Sequence, residues 1–109
     1  MTAELRKHIE DYAKEHCGYD PNIAITDSDI LEILQEEDTI YEEHVDSHRW
    51  WEEWLNVVKI GDKFIGYFYG RANRDESVED LGYEFDIKAV AEYICTKETK
   101  TVDVWKLKI

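Results

Sequence analysis

The stretch that decides the fold is WWEEWLNVVKIGDKFIGYFYG, Trp50–Gly70. It is rich in Val, Ile and aromatic residues, and Gly61-Asp62 interrupts it at its middle. Two apolar runs around a two-residue Gly-containing break read as a β-hairpin. With the turn at Gly61-Asp62, Ile60 faces Lys63, Val58 faces Ile65 and Trp54 faces Tyr69. Side chains alternate across a sheet. One face then carries Trp51, Leu55 and Val57 with Phe64, Gly66, Phe68 and Gly70. The other carries Trp50, Trp54, Asn56, Val58 and Ile60 with Ile65, Tyr67 and Tyr69. Both faces are apolar, so both need cover. Glycines at 66 and 70 would admit a helix closely, so the Phe/Leu/Val face is expected under the helices. The Trp/Tyr face, amphipathic at its tips, is left for the C-terminal hairpin, for a dimer mate or for an external partner. A slip of one residue would exchange the faces.

Outward from the hairpin, two amphipathic helices precede it. In Ala3–His16, Leu5, Ile9, Tyr12 and Ala13 recur at helical spacing, with Thr2 as cap and Gly18 and Pro21 as stops. A second helix is expected after ITDSD (Ile25–Asp29). Thr26 or Ser28 caps it, Asp27 and Asp29 suit the positive end of its dipole, and Ile30, Ile33 and Leu34 form its apolar stripe. TIYEEHV (Thr39–Val45) alternates as a strand and DSHR reads as a turn. NRDESVEDLG is polar, with one helical turn between Ser77 and Gly82. AEYICTKETKTVDVWKLKI reads as a second hairpin turning at Glu98–Lys100. The expectation is a single α+β domain spanning 1–109, with two N-terminal helices packed on a four- to five-stranded antiparallel sheet built from hairpins.

Composition bounds the function. The 109 residues include three Phe, seven Tyr and four Trp, enough for a compact core. No apolar run approaches the ~18 residues of a spanning helix, and the opening MTAELRKHIEDY has no signal-peptide character. A soluble, cytoplasmic protein is expected. Cys17 and Cys95 are too few for a disulfide framework.

The net charge is −13 and it is unevenly spread. Residues 1–55 carry 4 basic and 16 acidic side chains, and residues 56–109 carry 9 and 10. From Glu15 to Asp46 there are 11 acids and no Lys or Arg. Such a field disfavours direct contact with nucleic acid or anionic membranes and favours basic surfaces.

No catalytic signature is present. His44 and His48 are spaced i, i+4, but HVDSH lacks the Glu of HExxH and no third ligand is evident. DSDILE lacks the glycine of a calcium loop. There is no phosphate loop, no GxSxG and no CxxC. No metal, cofactor or enzymatic activity is expected.

The pattern HRWW…VVKIGDKFIGY…LGYEFD is similar to small proteins of phages and mobile elements. In size, acidity and α+β make-up the chain resembles anti-CRISPR proteins, inhibitors of RNA-guided nucleases. That resemblance implies a stoichiometric inhibitor without cofactor, acting on a type II CRISPR nuclease by nucleic-acid mimicry. Its members share no general motif, so no residue role carries over. The charge pattern read directly gives a compatible picture. Glu32 and Glu36, one turn apart, are ~6 Å apart along a helix, comparable to phosphates on one strand.

The expected partner surface comprises Asp27, Asp29, Glu32, Glu36, Glu37, Asp38, Glu42 and Glu43 for charge. Trp50, Trp54, Tyr67 and Tyr69 would serve as apolar anchors. The competing expectation is a non-enzymatic adaptor or structural subunit that self-associates as a homodimer through the aromatic sheet face, its charge serving only solubility.

Overall fold

The computed structural model describes residues 1–73, 83–97 and 103–108. Thr2 starts the first helix, α1 (Ala3–His16), by accepting a hydrogen bond from the Leu5 N–H. Cys17 N–H donates to the Ala13 carbonyl and ends it, and Gly18 turns the chain away. The second helix, α2 (Asp27–Glu36), opens on a complete capping box. Thr26 Oγ1 accepts from Asp29 N–H at 3.2 Å and Asp29 Oδ2 accepts from Thr26 N–H at 2.9 Å. These reciprocal bonds satisfy two donors that no helical carbonyl reaches.

Five antiparallel strands follow: β1 (Thr39–Ser47), β2 (Trp51–Ile60), β3 (Lys63–Ala72), β4 (Ala91–Lys97) and β5 (Asp103–Leu107). Their order in the sheet is their order in the chain. The fold is therefore α+β, with the helices ahead of the strands. The β2–β3 register has Ile60 opposite Lys63, Val58 opposite Ile65 and Trp54 opposite Tyr69. Gly61 at the turn has φ 64°, a conformation that costs other residues about 1 kcal/mol or more. One 3-10 turn, Ile87–Ala89, precedes β4. The expected helical turn at 77–82 and the turn at 98–100 lie outside the described residues.

The helices cover the face opposite to the one expected. Leu5, Ile9 and Ala13 of α1 and Ile30, Ile33 and Leu34 of α2 form one buried cluster with Val58, Ile60, Ile65, Tyr67 and Val90. The aliphatic residues next to the hairpin turn match the aliphatic helix stripes, and this pairing decides the sidedness. The glycines serve another purpose. A Cβ on Gly66 would lie 2.3 Å from Cε1 of Tyr93, and one on Gly70 would lie 3.0 Å from Cγ of Tyr83. They admit aromatic rings on the face away from the helices.

That second face is concave, because the sheet curls. Tyr41 on the first strand comes within 5.9 Å of Trp105 on the last, centroid to centroid. Strand β1 itself is irregular. Its register with β2 shifts between Thr39 and Tyr41 and again between His44 and Asp46. The simple alternation expected for Thr39–Val45 holds only between these shifts, from Tyr41 to His44.

Candidate partner-binding surface

Helix α2 sets the acidic surface. Burying Ile30, Ile33 and Leu34 turns Glu32 and Glu36 outward. The chain then leaves the helix through Glu37 and Asp38 toward β1. Three of these acids, Glu36, Glu37 and Asp38, sit at the negative end of the helix dipole, and the last turn holds no basic residue. Each such placement costs roughly 0.3–1 kcal/mol. The i, i+4 pair Glu32/Glu36 adds a few tenths more.

Some of the expected acids have structural partners. Asp27 pairs with Arg6 at 2.7 Å, Asp29 is consumed by the capping box, and Glu37 accepts the Tyr12 hydroxyl at 2.8 Å. Glu32, Glu36, Asp38 and Glu43 are exposed and have no Lys or Arg in ion-pair contact among the described residues.

Glu42 and Glu43 separate to opposite faces of β1. Glu42 joins the helix-side face, where it accepts the Tyr69 hydroxyl at 2.9 Å and the Arg71 guanidinium at 2.7 Å. These two hydrogen bonds hold its carboxyl below the usual range. Burial, followed by the bond to Glu42, pushes Tyr69 up to about 12. Arg71 lies over Trp54 at 4.4 Å and over Tyr69 at 5.3 Å. Glu42 is thus neutralised within the fold.

The expected anchors need correction. Tyr67 is only 3 % exposed and belongs to the core under the helices, its hydroxyl accepting from the Asn56 amide at 2.7 Å. Trp54 is flanked by Arg71 and by the edge-on ring of His44, and its indole N–H is buried without a hydrogen-bond partner among the described residues. Tyr69 is half-buried against the core. Of the four, only Trp50 is largely open, 44 % exposed beside Arg49.

The other aromatic surface is the concave face, whose floor, Leu55 and Val57, is buried beneath partly exposed rings. Tyr41, Trp51, Phe64, Phe68, Tyr93 and Trp105 are all half-buried there. Trp105 meets Phe64 edge-on at 5.1 Å, and Tyr83 meets Trp51 at 5.1 Å. Glu43 shares this face, opposite Leu55, and accepts the Tyr41 hydroxyl at 3.3 Å. The β4–β5 alternation could have put Tyr93 and Trp105 on one face, since Cys95 pairs with Trp105 and Tyr93 with Leu107. The curl that brings them to Tyr41 has no signal in the strand patterns.

The two candidate histidines are separately engaged. His44 Nε2 lies 2.9 Å from Ser47 Oγ and 3.4 Å from Glu52, while His48 stacks on Trp51 at 3.8 Å. Among the described residues no three His, Cys, Asp or Glu side chains group as a metal-binding set. No helix is long and apolar enough to cross a membrane, among the described residues. A cleft of about 530 Å³ lies by the start of α1, where Lys63 and Lys108 both pair with Glu92.

No protein-family model, curated protein or solved structure matches the chain.

Proposed function

We propose that this protein is a stoichiometric inhibitor that docks its α2–β1 surface on a basic nucleic-acid-binding enzyme and competes with the nucleic acid there. One observation carries the reading. Glu32, Glu36 and Asp38 stand exposed without cationic partners among the described residues, two of them at the helix end that disfavours them. Their placement costs stability and gains no ion pair among the described residues. A complementary basic surface would turn that cost into attraction and speed encounter. A type II RNA-guided nuclease is the target class we favour, because it holds its guide–target duplex in a positively charged channel. The resemblance in size, acidity and fold class points the same way.

The test is a triple variant, Glu32→Gln, Glu36→Gln and Asp38→Asn, which deletes charge and keeps shape. Its affinity for the nuclease should fall at low salt and lose part of its salt dependence. Nucleic acid should displace wild-type protein competitively. Unchanged affinity and salt response would show that the charge only solubilises, and the adaptor reading would replace this one.

A further inference from the structure

We propose that the concave face is a cation cage that receives an arginine side chain of the basic partner, with Glu43 as its carboxylate and Tyr41, Tyr93 and Trp105 as its aromatic walls. This rests on the inhibitor reading and adds to it the chemistry of a specific contact. The protein itself supplies the pattern. On the helix-side face a carboxylate, a tyrosine and a tryptophan (Glu42, Tyr69, Trp54) together hold the Arg71 guanidinium. The concave face assembles the same three kinds of group. Tyr41 donates its hydroxyl to Glu43, Tyr41 and Trp105 lie 5.9 Å apart, and the Tyr93 ring lies in the space left by the missing side chain of Gly66.

The charge of Glu43 reaches Tyr93, whose hydroxyl is pushed up by burial first and by this carboxylate second. Glu53 adds a second acid to the same face, opposite Gly70. Neither Glu43 nor Glu53 contacts a Lys or Arg among the described residues. A ring of π-faces around an anion attracts a cation by the quadrupoles of the rings as well as by charge.

Arginine fits better than lysine. A planar guanidinium can stack on a ring and still present paired donors to a carboxylate. The protein's own cluster shows the geometry, with the Arg71 guanidinium 4.4 Å over Trp54 and 5.3 Å over Tyr69 while it bonds Glu42.

The test is a titration of isotope-labelled protein with a hexa-arginine peptide, alongside its hexa-lysine and hexa-citrulline counterparts, followed by amide and indole N–H resonances. The arginine peptide should shift Tyr41, Glu43, Tyr93 and the Trp105 indole, and the lysine peptide should bind severalfold more weakly. Glu43→Gln should weaken the response of these rings about fivefold, the scale of one partly exposed cation–aromatic–carboxylate contact. Trp105→Leu should do the same, with the dispersion of the remaining resonances reporting an intact fold. Shifts confined to α2, with Tyr41, Glu43, Tyr93 and the Trp105 indole unmoved, would overturn the cage and leave the inhibitor reading standing. Equal shifts with the neutral citrulline peptide would overturn it as well. No shift on either surface would count against both.

Discussion

Replacing Gly66 with alanine tests the packing of the concave face at its tightest point. The new methyl would sit 2.3 Å from Cε1, 2.5 Å from Cδ1 and 3.1 Å from Cζ of Tyr93. Carbon atoms pack at ~3.5–4.0 Å, so the ring must retreat by more than an ångström. It can leave its rotamer or swing off the sheet and lose its contacts. Overpacking of this kind costs roughly 1–3 kcal/mol. Alanine recovers ~0.5–1 kcal/mol over glycine in a strand, leaving a net loss of about 1–2 kcal/mol. For a domain of this size that lowers Tm by about 4–10 °C. Thermal unfolding of a double-mutant cycle isolates the contact. In a Tyr93→Ala background the clash is gone, and Gly66→Ala should become neutral or stabilising by ~0.5–1 kcal/mol. An equal loss in both backgrounds would refute the claim that the glycine exists to seat this ring.

Two further outcomes follow from burial and titration. Ile65, fully buried beneath the helices, should lose about 2–5 kcal/mol on change to alanine, and half-buried Phe68 on the concave face should lose less; chemical denaturation of both variants checks the order, and the reverse order would mean that the helices guard the other face. The Glu42–Tyr69–Arg71 cluster should shape both pH limits. Glu42 has a depressed pKa, so its contribution is present above the ordinary carboxylate range and lost as pH falls through the depressed value. Tyr69 has a raised one, so its contribution is complete below ~10 and lost as pH rises through about 12. Glu42→Gln should flatten the acid limb of stability and Tyr69→Phe the alkaline limb; unaltered limbs would show that the cluster does not couple to folding.

Local signals made most of the elements legible. Thr2 and Thr26 cap their helices as the spacing of polar and apolar residues implies, and Gly61-Asp62 sets the hairpin register residue for residue. Sidedness was not legible from the hairpin alone, because Val58, Ile60 and Ile65 on one face and Leu55, Val57 and Phe68 on the other are equally apolar. The choice depends on what the rest of the chain brings. Aliphatic helices meet the aliphatic patch, and the rings of Tyr83 and Tyr93 need the glycines. For the same reason Tyr67 reads as a surface anchor in one strand and is a core residue in the fold. The acids were visible as a run. Which ones are spent internally depends on Arg6, Tyr12, Tyr69 and Arg71, all distant in sequence from their partners.

Strand order that follows chain order also sets the sequence of opening events. Among the described residues ten pairs register β2 with β3 and three, Phe64–Tyr93, Ile65–Glu92 and Gly66–Ala91, register β3 with β4. Among the described residues the β3–β4 seam is thus the shortest ladder in the sheet, and parts of a protein with few shared bonds open first, well below the free energy of global unfolding. When that seam opens, β1–β3 keep their ladders and the helices keep Val58, Ile60 and Ile65. Amide exchange in Tyr93–Lys97 then runs ahead of that in β2. Opening at that seam would carry the rings of Tyr93 and Trp105 away together from Tyr41 and Glu43.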